Sequence, residues 1–193
     1  MMPKNDPHLI EIKWKNEVVM ITQSEVDAIQ PDHKLLAVAK KEFSRHMNIY
    51  GEHGLNHWKR VRENGLVLSR LNGANRHVVV MFSIFHDCRR VSEGDDKLHG
   101  YASAKFLLDH RELIPLDDAD FELLRRACYD HNNGITDDPD ITVKTCWDAD
   151  RLDLGRVGKM PHPNHLCTDE AKDAQMIEWA YKRSRLGRAG GTH

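Results

Sequence analysis

Histidine and aspartate residues recur in four places along the chain: His57, the doublet His86-Asp87, His131, and residues 148–153 with the sequence DADRLD. The chain of 193 residues contains 13 histidines, and histidine is both the commonest metal ligand and a general acid or base. A mixed set of imidazole and carboxylate ligands suits Mn, Fe, Co, Ni, Zn or Mg rather than a metal selected by thiolates. These residue types therefore indicate a divalent metal site, provided that the fold brings the four places together.

The sequence pattern predicts helices for the segments that must position these residues. Residues 55–68 place apolar side chains at steps of three and four, as one face of a helix does, and His57 lies on the flank of that stripe. Residues 78–85 are mostly apolar and run directly into His86-Asp87, and periodicity alone does not decide between a buried strand and a buried helix there. Adjacent residues project about 100° apart on a helix, so both can reach one ion only if the helix ends at it. Separate helices can converge in this way inside a bundle.

Cap and turn signals outline the remaining elements. Residues 10–14 alternate between apolar and polar side chains, and an apolar pattern resumes at 18–21, which predicts a short β-hairpin. Ser24 with Asp27 resembles a capping box, and Asp32 can cap the helix that follows.

Length and pattern together predict a mostly helical single domain over residues 1–193. Within it we expect a metal-site core at about 50–157 and an N-terminal extension of hairpin and helix at 8–48. A C-terminal helix, which Thr168 can cap, is expected over 168–185.

The ordered set of His57, His86-Asp87 and a downstream aspartate in DADRLD resembles the HD superfamily of metal-dependent phosphohydrolases, whose fold is all-helical. The sequence HWKRV around the first histidine also resembles the family pattern, and the match runs from about residue 53 to residue 156. The resemblance implies an all-α HD-domain helical bundle, a helix for residues 76–86, and a small stand-alone member of the family.

The resemblance also implies the catalytic metal ligands. It assigns that role to His57, His86, Asp87 and Asp150. Asp150 is preferred to Asp148 because it directly precedes an arginine, as in the Asp-Arg-Leu pattern of the family.

Two further histidines are candidates for a second ion. His99 resembles a position where some family members bind a second metal, although here Gly100 follows it immediately. His131 could serve a second ion, a substrate phosphate or a local loop. One metal ion and two both remain open at this point.

Three arginines are candidates for binding a substrate phosphate. Arg89 and Arg90 follow the doublet and Arg151 follows Asp150, so their cations stand next to the proposed ligands in the sequence. Arg89 and Arg90 could each equally be a surface charge.

Other charged residues of this region have a purely structural interpretation. A carboxylate beside an arginine is often only an ion pair, which is the alternative for Asp148 and Asp153. His53 lies between Gly51 and Gly54, which place it before the helix, so it is left out of the ligand set.

Composition argues against several classes of protein. The formal net charge of −2 gives no basic field for a nucleic acid, and the basic residues at 181–188 suit the solvated end of a helix. The four cysteines form no C-x-x-C pair and are expected to be reduced thiols. No apolar segment approaches the roughly 18 residues of a membrane span, and the N-terminus lacks the apolar core of a signal peptide. We therefore expect a cytoplasmic protein that binds neither membranes nor nucleic acids, with an oligomeric state that the sequence does not predict.

The function that the resemblance implies is hydrolysis of a phosphomonoester or phosphoanhydride of a nucleotide or related small metabolite, with one or two divalent ions. Its substrate partner would be a small phosphorylated molecule. Two alternatives are a di-iron oxygenase of the same fold and a non-catalytic sensor that binds a nucleotide. The complete ligand set argues against the sensor, because a binding module does not need four metal ligands.

Overall fold

The computed structural model describes residues 10–186, which form a two-stranded hairpin followed by α-helices. The first two residues of the expected extension at 8–48 and the last two of the basic run at 181–188 lie outside this range. The strands are β1 (Ile10–Trp14) and β2 (Glu17–Ile21). The helices are α1 (Gln23–Asp27), α2 (His33–Phe43), α3 (Leu55–Asn72), α4 (Arg76–Phe85), α5 (His99–Asp109), α6 (Asp118–Asp130), α7 (Ile141–Arg151), α8 (Asp169–Lys172) and α9 (Ala174–Leu186). Three short 3₁₀ turns lie at Arg111–Leu113, Leu154–Val157 and Pro163–His165. The expected all-α fold with an N-terminal hairpin is confirmed.

The hairpin is antiparallel, and Ile10 pairs with Ile21 while Trp14 pairs with Glu17. Its turn is made by Lys15 and Asn16, and Lys15 has a φ of 52°. The alternation seen in the sequence puts Ile12 and Ile21 on the buried face.

The first two helices begin at side-chain caps. Asp32 caps α2 as predicted, since its carboxylate accepts a hydrogen bond from the Lys34 amide. The capping box predicted at Ser24 with Asp27 is wrong, because it begins two residues earlier, at Thr22 with Glu25. The Thr22 hydroxyl accepts from the Glu25 amide, and the Glu25 carboxylate accepts from the Thr22 amide. Helix α1 therefore starts directly after β2.

Helix α4 lies at the centre of the fold and packs against α3, α6 and α7. Its residues 78–85 are all buried, which explains why the sequence shows no amphipathic period there. Asn75 caps the helix by accepting hydrogen bonds from the His77 and Val78 amides. The segment that could have been a strand is thus a helix, as the family resemblance implied.

Two buried apolar clusters meet at this central layer. The larger cluster joins α2, α3, α4, α5, α6 and α7, and it includes Phe43, Trp58, Phe82, Leu124 and Trp147. The smaller one joins the hairpin to α3 and the C-terminal helices, and it includes Ile12, Ile21, Leu66, Leu152 and Met176. Because α3 and α4 contribute to both clusters, burial fixes their orientation from two sides.

Gly65 sets the distance between the three helices that matter most for the site. A Cβ at this position of α3 would lie 2.3 Å from Val79 Cγ1 of α4 and 3.4 Å from Ala149 Cβ of α7. The absence of a side chain therefore allows α3, α4 and α7 to approach closely, which places their ends near one another.

The predicted C-terminal helix over 168–185 is divided into α8 and α9. Thr168 caps α8 as expected, but Asp173 takes an extended backbone conformation with ψ near 135°. The Asp173 carboxylate then accepts a hydrogen bond from the Gln175 amide, which favours a new helix start at that point. Helix α9 packs against the 3₁₀ turn Leu154–Val157 and against β1. None of the helices within residues 10–186 combines the length and apolar composition needed to cross a membrane.

Candidate metal centre

Three of the four expected ligands form a compact group at the ends of α3, α4 and α7. His57 lies in the first turn of α3, His86 directly follows α4, and Asp150 is the penultimate residue of α7. The Nε2 atoms of His57 and His86 are 3.0 Å apart. Asp150 Oδ1 lies 3.4 Å from His57 Nε2 and 3.9 Å from His86 Nε2. Both histidines are fully buried, so these helix ends direct their polar groups at one another inside the protein.

The fourth expected ligand, Asp87, lies between this group and a second one. Its Oδ2 atom is 3.5 Å from His86 Nε2 and 3.7 Å from His57 Nε2. Its Oδ1 atom faces the other way, at 3.2 Å from His99 Nε2 and 3.6 Å from His131 Nε2. One carboxylate thus contacts two separate pairs of imidazoles.

His99 and His131 form the second pair. His99 is the first residue of α5, His131 directly follows α6, and their Nε2 atoms are 2.8 Å apart. Both side chains are buried. His131 is therefore not part of a solvated loop, and the structure brings both candidates for a second ion to the same carboxylate.

The other ring nitrogen of each of these four histidines is held by an oxygen. His57 Nδ1 is 2.7 Å from Asp153 Oδ2, His86 Nδ1 is 3.1 Å from the Phe82 carbonyl, and His131 Nδ1 is 2.7 Å from the Cys128 carbonyl. His99 Nδ1 contacts the carbonyl of Asp96. Since a carbonyl or carboxylate oxygen accepts, each ring in its neutral form carries the proton on Nδ1 and leaves a lone pair on Nε2.

This tautomer makes the Nε2 contacts unfavourable unless a cation lies between them. Two lone pairs at 3.0 Å repel each other, whereas two nitrogens at that distance can both lie about 2.1 Å from one ion. An outer oxygen that fixes the ring is also the usual arrangement around a metal-ligating histidine. The donor chemistry therefore fits a divalent cation in the group His57, His86, Asp150 and a second one in the group Asp87, His99, His131.

Burial keeps the first pair of imidazoles neutral. It lowers the pKa of His57 well below its usual range, with a further contribution from the nearby Arg156 cation. It also lowers the pKa of His86 to about 4. A metal ligand must be unprotonated, and at neutral pH these two rings are.

The two carboxylates stay ionised in spite of burial. Burial alone would raise the pKa of Asp150, but Arg156 and the neighbouring imidazoles outweigh it and lower the value to about 2. For Asp87, burial is likewise outweighed, chiefly by His86 and by hydrogen bonds from other histidines, and its pKa falls well below the usual range. The centre thus combines anionic oxygens with neutral nitrogens, which is a donor set for cations.

His53 was left out of the ligand set, and the structure places it at the centre. Its Nδ1 atom lies 2.9 Å from Asp87 Oδ2, and the side chain is buried. It precedes α3, as Gly51 and Gly54 indicate, but the turn between them folds the ring back toward Asp87. A Cβ on Gly54 would lie 2.0 Å from the Ile49 carbonyl oxygen, so this turn depends on glycine. The spacing of residues on a helix does not predict such a turn, which explains why His53 was left out of the ligand set.

Asp153 and Asp148 have distinct roles beside the centre. Asp153 accepts from Arg60 Nε at 2.6 Å and from Arg60 Nη2 at 3.1 Å while its Oδ2 contacts His57 Nδ1, so this carboxylate orients His57. Asp148 accepts from the amides of Cys167 and Thr168, at 2.7 and 2.8 Å, and ties α7 to the start of α8. These contacts favour a structural role for Asp148, although its partners are backbone amides rather than an arginine.

The arginines expected to bind phosphate lie in different places. Arg89 pairs with the buried Glu42 of α2, and no contact within residues 10–186 joins its guanidinium to the centre. Arg151 donates to the carbonyls of His165 at 3.1 Å and Ile135 at 2.6 Å, so its guanidinium connects two loops. Other acceptors hold donors of Arg89 and Arg151, and the phosphate role of both stays a prediction.

Arg90 does lie at the centre, but its donors are also engaged. Its Nε and Nη2 atoms donate to the carbonyls of Ser92 at 3.0 Å and Gly94 at 2.7 Å. Its Nη1 atom lies 3.2 Å from His99 Nε2 and 3.8 Å from Asp87 Oδ1. Arg90 thus fixes the loop beside the second histidine pair and contributes positive charge there.

Comparison with known proteins supports the fold. No family model and no curated protein matches the sequence. Among solved structures, the chain is similar to a predicted HD superfamily hydrolase from an uncultured Thermotogales bacterium, with a TM-score of 0.62 and 19% sequence identity. The similarity covers 88% of this chain and 95% of that one. The chain therefore has the helical fold of that HD superfamily protein, as the ordered histidines and aspartates of the sequence indicated.

Proposed function

We propose that this protein is a metal-dependent phosphohydrolase that acts on a phosphomonoester or phosphoanhydride of a nucleotide or related small metabolite. The observation that carries the proposal is the convergence of two imidazole pairs on the two oxygens of Asp87, with Nε2 of each ring directed inward. The similarity to a predicted HD superfamily hydrolase agrees with a hydrolytic reaction.

Each ligand has a defined part in this proposal. His57, His86, Asp150 and the Oδ2 atom of Asp87 would hold one divalent ion, and Asp87 Oδ1 with His99 and His131 would hold a second. Such ions lower the pKa of water toward roughly 7 and polarise a phosphoryl oxygen. The overall reaction breaks the bond between phosphorus and the departing oxygen, adds the oxygen of water to phosphorus, and transfers a proton to the departing group.

The residues around the ligands hold the centre in one geometry. Asp153 and Arg60 fix the His57 ring, and the carbonyls of Phe82 and Cys128 fix His86 and His131. Rigid placement of this kind reduces the reorganisation that a reaction requires.

Positive charge next to the ligands suits a phosphorylated substrate. Arg156 Nη2 lies 3.8 Å from Asp150 Oδ1, and Arg90 Nη1 lies 3.8 Å from Asp87 Oδ1. An anionic phosphoryl group entering the centre would meet a guanidinium on either side.

A di-iron oxygenase of the same fold is the second candidate. The observation that favours it is the shared carboxylate between two histidine groups, since a pair of irons requires two adjacent sites. It predicts iron in protein purified without added metal and consumption of dioxygen in the presence of substrate. Hydrolysis predicts turnover with redox-inactive ions such as Mg or Zn and no dependence on dioxygen.

The test combines metal analysis with activity on a panel of nucleotides and generic phosphate esters in the presence of Mn, Co, Ni or Mg. Wild-type protein is compared with His86→Ala and Asp87→Ala, and His77→Ala serves as the matched control because His77 lies exposed in the first turn of the same helix. We expect the first two variants to lose bound metal and turnover while keeping their helicity by circular dichroism. The control should retain both properties.

Failure of the wild-type protein to hydrolyse any ester with any metal, while it remains folded, would contradict the hydrolase proposal. Metal content in His86→Ala equal to that of His77→Ala would contradict the ligand assignment.

A further inference from the structure

Arg156 is a buried arginine whose donors are incompletely used. Its side chain is only 9% exposed, yet its Nε and Nη1 atoms have no hydrogen-bond partner. Two carboxylate oxygens of the centre lie near it, Asp150 Oδ1 at 3.8 Å from Nη2 and Asp153 Oδ2 at 4.0 Å from Nη1, which are too distant for hydrogen bonds. A buried, charged donor without an acceptor costs free energy, and native proteins rarely retain one without a reason.

The position of Arg156 relates it directly to the metal centre. It lies in the 3₁₀ turn Leu154–Val157, just beyond α7, and its Nη2 atom is 3.4 Å from His53 Nδ1. The turn is held against α9 by Gly155, where a Cβ would lie 2.9 Å from Tyr181 Cδ2 and would overlap the Ser184 side chain. Close packing of α9 therefore fixes the guanidinium beside the ligands.

The same guanidinium lines a cavity of about 240 Å³. Several polar side chains line it together with Arg156, and one aromatic residue: Asn56, Arg60, Ser184, Glu52 and Tyr50. Arg60 is already paired with Asp153, so Arg156 is the cation with unpartnered donors among these lining residues. The volume is below the roughly 300–1,000 Å³ of pockets that enclose drug-sized ligands. Such a cavity suits a small hydroxylated anion rather than a large or apolar molecule.

We propose that the Arg156 guanidinium binds the phosphoryl group of the substrate, and that the cavity holds the small, hydroxylated organic part of a phosphomonoester. The inference rests on the proposed hydrolase function and narrows its substrate class. A guanidinium is planar, permanently charged and rich in N–H donors, which suits the oxygens of a phosphate. Arg156 then takes the role that the sequence assigned to Arg89 and Arg151.

Calorimetric titration of inorganic phosphate into the Mn²⁺-loaded protein tests this assignment without requiring turnover. Arg156→Gln should bind phosphate about 10- to 150-fold more weakly than wild type, because hydrogen bonds to a charged group contribute that much. Arg156→Lys keeps the positive charge but lacks the planar guanidinium, and its phosphate affinity should lie between those of wild type and Arg156→Gln. Arg89→Gln removes one cation elsewhere, with Arg45 still pairing Glu42 at 2.8 Å, and should bind phosphate as wild type does.

Metal content distinguishes binding of phosphate from damage to the centre. Removal of a cation beside Asp150 should leave metal affinity unchanged or increased, whereas disruption of the centre would decrease it. With p-nitrophenyl phosphate as substrate, Arg156→Gln should raise KM by a similar factor.

Equal phosphate affinity in Arg156→Gln and Arg89→Gln, or no phosphate binding by the metal-loaded wild type, would overturn the inference. Absence of turnover with every ester bears instead on the hydrolase proposal, since the phosphate titration is independent of it.

Discussion

Gly100 lies where α5 crosses the last turn of α6, and its replacement by alanine tests how packing holds the second histidine pair. A Cβ at this position would lie 2.7 Å from Asn132 Oδ1, 2.8 Å from the Tyr129 carbonyl oxygen and 2.9 Å from the Cys128 carbonyl oxygen. Two of these three atoms belong to the backbone, so rotation of a side chain cannot relieve the overlap. We therefore expect Gly100→Ala to move α5 away from α6.

This movement should affect both histidines of the pair. Gly100 directly follows His99, and the Cys128 carbonyl that it would displace is the acceptor for His131 Nδ1. An ordinary contact requires about 0.5–0.7 Å of additional separation. His57 and Asp150 belong to α3 and α7, and His86 directly follows α4, so their positions should change little.

The expected cost follows from the overlap. Overpacking of a buried site costs about 1–3 kcal/mol, which for a chain of this length lowers the melting temperature by about 2–12 °C. Disturbing the oxygen that orients a ligating histidine weakens metal binding by about 10- to 100-fold. The second ion should show this weakening, and the first should change only as far as the shared carboxylate of Asp87 couples the two positions.

Thermal denaturation and stepwise metal titration against a competing chelator measure the two effects. Gly94→Ala is the matched control, because a Cβ there meets only Ser92 Oγ at 3.5 Å. The melting temperature tests the packing independently of any metal. Gly100→Ala with the melting temperature and second-ion affinity of the control would refute the reasoning.

Three further changes have defined outcomes. Asp153→Asn should weaken binding of the first ion about 10- to 100-fold in a chelator competition, because it loosens the acceptor for His57 Nδ1; wild-type affinity would show that this carboxylate does not orient the ring. Gly65→Ala should lower the free energy of unfolding in urea by about 1–3 kcal/mol, since the added Cβ meets the stiff, β-branched Val79, and an unchanged midpoint would contradict that contact. Burial raises the pKa of the Cys167 thiol to about 12, so iodoacetamide at pH 8 should alkylate it at least about 100-fold more slowly in the native protein than in urea, and equal rates would contradict the effect of burial.

The sequence predicted the parts of this protein that depend on local pattern. Alternating apolar residues in the first strand, together with the break that follows, predicted the hairpin. The capping residues Asp32 and Thr168 predicted the starts of two helices. The order of His57, His86-Asp87 and Asp150 predicted which helix ends meet, since the apolar body of α4 must be buried and delivers the doublet at its end. The structure brings those side chains together, and their role as metal ligands stays a prediction.

The contacts that the sequence did not predict involve long side chains or unusual turns. An arginine can reach acceptors in several directions, so position in the chain did not show that Arg151 binds loop carbonyls while Arg156 faces the centre. His53 depends on a glycine turn that periodicity does not describe. Asp173 divides the last helix because it caps a new one, and a continuous apolar stripe hides that break.

The two oxygens of Asp87 give the centre a property that neither histidine pair has alone. A cation held on one side of the carboxylate would withdraw electron density from the opposite oxygen, so occupancy of one position would alter affinity at the other. By thermodynamic linkage the factor is the same in both directions. Two such cations would therefore report on each other through Asp87, and a change confined to His131 should be felt by a cation beside His86.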